Sequence, residues 1–269
     1  MNNKKISVIL PVLTVNQESF GRCISSILGQ TYRNFELIIV NENKDTTFLQ
    51  VLESYERKDS RIKILNLIGG KNLPYALNCG INASCGEFIA RMDADDFCVD
   101  NRFQVQLEFL SKNPDVSVVG SAVFINQIGA TELIRRYPEH DTNIWRQLHF
   151  TNPICHPSVM IRRKDLYSVG LYDDMFDAAE DYELWCRFIS AGFKLANINV
   201  PLLHYSLQEN EARDKKNWKF NLKVKLKYFH VFDRKIIAFV AISMIAIIYF
   251  LPKTAVVLLY KLRNKLRKI

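Results

Sequence analysis

The chain's 269 residues, 48% of them hydrophobic, suffice for one large α/β domain with an appendage, and no stretch has the composition of a disordered or low-complexity segment. Six scattered cysteines include no C-x-x-C and no cysteine–histidine cluster, which argues against a zinc site and fits reduced thiols in a cytosolic compartment. The net charge of +8 is concentrated: residues 213–269 hold fifteen Lys/Arg against two Asp, so residues 1–212 carry −5 and the basic character belongs to a tail.

In chain order, the N-terminal MNNKKISVILPV lacks the apolar core and cleavage site of a signal peptide. Ile6–Leu10, closed by Pro11, reads as a buried strand. Phe20, Cys23, Ile24, Ile27 and Leu28 then recur at helical spacing. Glu36–Val40 is a second buried strand, Thr46–Arg57 a helix, and Arg61–Asn66 an alternating third strand. After Gly69-Gly70, Pro74–Ser84 reads as a helix and Glu87–Met92 as a strand. Strands alternating with helices predict a mostly parallel, Rossmann-like sheet covered on both faces, with ligands bound outside the carboxyl ends of its strands. Thr14 and Asn16, Asn41-Glu42-Asn43, and Asp93-Ala94-Asp95-Asp96 therefore share one rim. The absence of G-x-G-x-x-G and of G-x-x-x-x-G-K-[ST] argues against dinucleotide and P-loop chemistry. Further on, Asn101–Lys112, Asp141–Phe150 and Glu180–Ala191 read as helices and Val116–Gly120 as a strand, while Asn152–Ile161 is irregular and then extended. Glu180, Asp181 and Glu183 occupy the first turn of the last helix, as its dipole favours.

Chemistry concentrates in EFIARMDADD, residues 87–96. Asp93 and Asp95, two apart on an extended strand end, point the same way. Like charges aimed at one place repel unless a cation lies between them, and hard oxygen ligands suit Mg²⁺ or Mn²⁺ together with a substrate's phosphates. The same residues also suit a solvated acidic turn, with Asp96 or Asp100 capping the following helix.

Five stretches then line up in order: ISVILPV at 6–12, SSILGQTYRNFELIIV at 25–40, ALNCGINASCGEFIARMDADD at 76–96, HPSVMIRR at 156–163 and AEDYELWCRF at 179–188. On these motifs, across roughly 1–205, the chain resembles an inverting glycosyltransferase of family 2, which has the GT-A fold. The resemblance implies a nucleotide-sugar donor, a divalent metal (Mn²⁺ or Mg²⁺) and a carboxylate base. It makes Asp95 the principal metal ligand, Asp93 a ribose or metal contact, and Asp181 the base. It also brings Pro11, Leu13, Glu42 and Asn78 toward the donor, and His204 toward the metal or diphosphate. His156 lies either near the acceptor or in a structural turn. One departure stands out: where the family usually has Asp-Asp-Gly-Ser, this chain reads Asn41-Glu42-Asn43-Lys44, which leaves the base contact to Glu42 and the nucleotide open, uridine first and deoxythymidine next.

The implied domain spans 1–212, with a nucleotide-sugar half at 1–100 and an acceptor half at 101–212, followed by a basic, hydrophobic tail at 213–269. Lys215–Lys235 is basic with interleaved aromatics, and Ile236–Leu251 is charge-free. At helical rise that run covers about 24 Å, short of a ~30 Å hydrocarbon core. Thr254–Ile269 has the pattern of an amphipathic helix for an anionic surface. The tail is read as a membrane-associating element, re-entrant, interfacial or a single short span; a helical pair packed on the catalytic domain or on a dimer partner is the other reading. The expected partners are a nucleotide sugar, a lipid-linked saccharide acceptor and the membrane surface, with no nucleic acid, at the cytoplasmic face of a bacterial inner membrane. Two rivals remain: a non-catalytic fold-mate that binds nucleotide sugar or glycan, and a nucleotidyltransferase, for which Val12–Gln17 lacks a triphosphate loop.

Overall fold

Alternation along the first strand sets the layering. The structure, a computed structural model, describes residues 4–14, 16–67, 69–126, 133–206, 215–232 and 234–251. Ile6, Val8, Leu10 and Val12 of β1 (Ile6–Val12) share one core with Phe20, Cys23, Ile24 and Ile27 of α1 (Gln17–Leu28) and with Phe48 and Leu52 of α2 (Thr46–Lys58). Ile9, with Ile38 and Val40 of β2 (Phe35–Asn41), belongs to a second core with Ala76, Leu77 and Ile81 of α3 (Leu73–Ala83). Burial on both faces is why these strands read as unbroken apolar runs. Gly80 allows α3 this close to the sheet, since a Cβ there would lie 2.8 Å from Ile9 Cγ2 and from Val40 Cγ2. Asn16, Asp45 and Asn72 cap the three helices through their side chains.

β3 (Ile62–Asn66), β2, β1 and β4 (Phe88–Arg91) are parallel and stand in that order. The chain runs outward from β1 to β3 and then returns to β4 on β1's other side. A switch in strand order therefore falls between the carboxyl ends of β1 and β4, where such sheets bind ligands. Beyond β4 the expectation of a mostly parallel sheet gives way to a mixed one. β8 (Met160–Arg162) runs antiparallel to both β4 and β6 (Val116–Asn126), and β9 (Lys194–Ser206) runs parallel to β6. β5 (Phe97–Cys98) and β7 (Leu133–Arg135) add antiparallel edges. Four further helices belong to this half: α4 (Arg102–Lys112), α5 (Asp141–Leu148), α6 (Arg163–Ser168) and α7 (Glu180–Ser190).

The basic segment folds back on the domain. Val224 of α8 (Lys215–Lys227), Tyr228 and Phe232 after it, and Ala238 of α9 (Lys235–Phe250) are buried in one core with Tyr182 and Trp185 of α7. Lys225, itself buried, donates to the Leu148 and His149 carbonyls and to the Tyr182 hydroxyl. The fully buried Glu183 accepts from Arg187, Lys227 and the Tyr228 hydroxyl. Of the two readings of the tail, packing on the domain describes α8 and the inner side of α9. Among the described residues no helix is long and apolar enough to cross a membrane. The amphipathic pattern at 254–269 lies outside the described residues.

Candidate active site

β4 ends at Arg91, and Asp93 follows two residues later on the same side. Arg91 donates to Asp93 Oδ2 through Nη1 at 2.6 Å, and its Nη2 lies 2.5 Å from Oδ1, a fork-on-fork pair. Burial pushes the Asp93 carboxyl up while Arg91 opposes that shift, and the same carboxylate holds the buried guanidinium charged. Asp95 and Asp96 complete the turn, so the three carboxylates bring oxygens to within 4.8 Å of one another. Asp96 does not cap α4, whose N-cap is Asn101 without a side-chain bond. Instead Asp96 Oδ1 accepts from the Ser206 N–H at 2.7 Å, which ties the end of β9 to the turn, and its Oδ2 is buried with no hydrogen-bond partner among the described residues. Burial and then Asp93 push the Asp96 carboxyl well up. Hard oxygens at this spacing, one of them unsatisfied, fit a divalent cation.

Asp181 lies in the first turn of α7, two residues after a strained one. Ala179 has φ 56°, the one positive φ outside glycine among the described residues, and left-handed backbone at a non-glycine costs on the order of 1 kcal/mol. That bend turns Glu180 and Asp181 into the cavity. Asn152 donates to Asp181 Oδ2 at 2.5 Å and the Tyr182 N–H to Oδ1 at 2.7 Å, so the carboxylate is fixed in orientation. Burial raises its pKa. Glu180, pushed up to about 8 by burial and then by Asp181, has its Oε1 3.6 Å from His156 Nδ1. His156 Nε2 is 2.8 Å from the Tyr172 hydroxyl, and burial holds the imidazole well below its usual pKa, hence neutral.

Arg91, Asp93, Asn152, His156, Glu180 and Asp181 all line one cavity of about 790 Å³, closed on its far side by α8 and α9. A second cavity of about 560 Å³ reaches Asp181 from the side of Arg135 and Arg136.

The other expected donor contacts are spread along the rim. Pro11 is the penultimate residue of β1, and Leu13, just past it, is 64% exposed, an uncommon position for a leucine. Burial raises the Glu42 carboxyl, which packs over Gly70. Asn41 donates to Asn66 Oδ1 and accepts from the Asn43 N–H, so the altered loop is shaped by side-chain turns without left-handed backbone at Asn43. Asn78 is committed elsewhere: its amide donates to the Tyr172 carbonyl and accepts from the Tyr172 N–H. Through that clamp it positions Tyr172, and thus His156. His204 is not among the acidic cluster's ligands; its ring stacks between Phe97 at 4.1 Å and Phe124 at 4.5 Å. Asn152 and Arg91 were not singled out from sequence, and neither was Arg102, a fully buried arginine whose Nη2 donates to the Arg91 carbonyl at 2.8 Å and the Val159 carbonyl at 3.3 Å. Arg91 had a usable signal, its i, i+2 spacing from Asp93.

A switch-point cavity with an acidic turn on one side and a fixed carboxylate on the other defines a sugar- or phosphate-transferring enzyme of GT-A architecture. The family model for "Glycosyl transferase family 2" matches residues 7–170, and the chain belongs to that family: it is a glycosyltransferase. It is 27% identical to the amylovoran biosynthesis glycosyltransferase AmsE of Erwinia amylovora, over 76% of each chain. It is 32% identical to the O-antigen biosynthesis glycosyltransferase WbnJ of Escherichia coli, over 71% of this chain and 75% of WbnJ. In fold it matches S. aureus TarS 1-349 in complex with UDP-GlcNAc, with a TM-score of 0.68 at 15% identity over 91% of this chain and 72% of the other. Of another TarS structure the chain spans 41%.

Proposed function

We propose that the chain is an inverting enzyme that moves one sugar from a nucleoside diphosphate sugar, a UDP-sugar foremost, onto a lipid-linked or growing oligosaccharide in surface-polysaccharide assembly. It would work at the cytoplasmic face of the cell membrane. The observation that carries this reading is that Asp93, at the acidic turn, and Asp181, at the α7 start, open onto the same cavity. The relatives in amylovoran and O-antigen biosynthesis support the acceptor class, and so does the UDP-GlcNAc bound by TarS for the donor.

In this reading Asp181 takes the proton from an acceptor hydroxyl as that oxygen attacks the anomeric carbon. The bond to the diphosphate breaks on the opposite face, so a single displacement inverts the configuration. Asn152 keeps the carboxylate aimed, and neutral His156 adds no competing charge. Asp95, with Asp93 and Asp96, would hold a divalent cation, which when bound supplies charge neutralisation for the leaving nucleoside diphosphate. Arg91, paired with Asp93, is a further fixed cation beside that leaving group. Leu13 and Glu42 lie where the nucleoside would rest, Leu13 offering an apolar surface and Glu42 an acceptor.

The test is a thermal-shift panel of UDP-, dTDP- and GDP-sugars with and without Mn²⁺. One nucleotide should raise the midpoint only with metal, by the equivalent of about 2.7 kcal/mol at a hundred times Kd, and the rise should vanish in Asp95→Ala. Sugar from that donor should then appear in butanol-extractable lipid when membranes are added. A flat panel, or a donor shift indifferent to Asp95→Ala, overturns the donor site and favours a non-catalytic fold-mate.

A further inference from the structure

The wall opposite the carboxylates is the least expected part of the cavity. It is built from α9, a helix apolar on every side, through Ala241, Met244, Ile245 and Ile248. An all-round apolar helix belongs in a core or in a membrane, and α9 divides itself between the two. Ala238, Ala241 and Ile245 are buried, while Ile236, Phe239, Val240, Ile247 and Phe250 are exposed. At about 3.6 residues per turn those five form one outward stripe, and the cavity-lining residues form the adjoining stripe. Met244 lies on the boundary, lining the cavity yet 56% exposed. Through Met244, the apolar stripe of α9 that lines the cavity shared with Asp181 joins the stripe on the outside of the molecule.

A saccharide acceptor alone gives no reason for such a wall, since sugar hydroxyls call for polar partners. An anionic lipid does. Beside α9, α8 carries exposed Lys215 and Lys219, and Lys216, which pairs with Asp177 of the cavity lining, while Trp218 lines the cavity with its indole N–H buried and unpaired among the described residues. Cations and an unpaired donor next to an apolar track match a phosphate head on a hydrocarbon chain.

Resting on the proposed lipid-linked acceptor, we propose that this stripe of α9 is the bed for the acceptor's hydrocarbon chain, which enters past Met244 and presents its head group to Asp181. The outer stripe then meets the membrane, and the inner one takes a single lipid from it. The helix is thus a wall of the active site as well as an anchor.

The probe is ω-bromodecyl phosphate against ω-bromobutyl phosphate, titrated into the full chain, with quenching of tryptophan fluorescence as the readout. The decyl probe should bind at least about tenfold tighter, the effect of burying only two further methylenes. Met244→Asp, at a half-exposed position where folding is not in question, should remove most of that preference, and Trp218→Phe should remove the quenching. Phe239→Asp, on the outer stripe, should weaken binding to anionic vesicles while changing decyl phosphate affinity less than about twofold. Equal affinity for both chain lengths, or a preference untouched by Met244→Asp, overturns the bed. This failure is separable from that of the acceptor reading. A chain that labels butanol-extractable lipid but binds both probes alike has the acceptor and not the bed. One with the chain-length preference but no transfer to lipid from any UDP-sugar has the bed and not the acceptor.

Discussion

At the scale of single residues, the base assignment has a sharp consequence. Asp181→Asn keeps the side chain's shape and one acceptor, the amide oxygen that can still receive the Tyr182 N–H, and gives up the acceptor facing Asn152, so the donor side stays formed while the proton acceptor is gone. Transfer should fall by about 10²–10⁴ with donor Kd within twofold, measured by single-turnover transfer and calorimetry. Transfer near the wild-type rate would give the role to another group. Glu180 has its own pH dependence. Its carboxyl titrates near 8 in the folded chain, raised from 4.5, so between those values the folded state holds a proton that the unfolded state has lost. Stability from this group is complete below pH 4.5 and falls as pH rises through 8. Glu180→Gln cannot lose that proton, so its unfolding midpoint should gain on the wild type from pH 5 to 8 and the gap should level off above. A constant gap would mean that Glu180 is ionised throughout. That the acidic turn and the start of α7 carry carboxylates into one site was legible because residue type and spacing can be read directly from the chain. Asn78, an equally plausible donor contact from sequence, was not: nothing in its helical position reveals that its amide is committed to the backbone of Tyr172, 94 residues away.

Elements show the same division. Parallel strands β1 to β4 were readable because each is a short apolar run between helices, and their bounds differ from expectation by a residue or two. β9 was not, because its partner β6 lies far away in sequence, and bulges break the alternation that a strand would show, as between Ser121 and Ala122. α4 was found as a helix, but its task was hidden. Arg102 clamps the end of β4 from that helix, with Nε donating to Gln106 at 3.1 Å, and Gln106 in turn donates to the Ser158 carbonyl at 2.7 Å. Arg102→Met should leave the Arg91 carbonyl without this donor in the interior, at ~1–3 kcal/mol, while the Val159 carbonyl keeps the Arg91 N–H. The acidic turn hangs on that strand end, so metal-dependent donor binding should weaken by at least about tenfold, beyond the loss of stability itself. Urea unfolding and a donor titration with Mn²⁺ separate the two. A destabilised variant with unchanged donor affinity would reduce Arg102 to a core residue.

On the scale of the whole molecule, the question is where the catalytic body ends. Charge and composition place the boundary near 212, yet the interior runs through it. Glu183 is fully buried and shares three cationic or hydroxyl partners, of which Lys227 and Tyr228 come from the basic segment. Lys225 occupies the interior only because the carbonyls of Leu148 and His149 and the hydroxyl of Tyr182 receive its ammonium. Tyr182 directly follows Asp181, so α8 braces the helix turn that presents Asp181 to the cavity. Two truncations distinguish a brace from an appendage. A chain of residues 1–233 keeps α8 and all of these bonds, loses α9, and should unfold within a few degrees of the full chain while releasing from anionic vesicles. A chain of residues 1–214 leaves Glu183 with Arg187 alone and exposes the apolar surface around Trp185 and Phe188. It should lose ~2–4 kcal/mol in urea unfolding. If 1–214 were as stable as 1–233, the buried ion pairs would be incidental and the domain would end where composition says. If 1–233 stayed on vesicles, the membrane contact would have to be sought on α8 rather than along the exposed apolar stripe of α9.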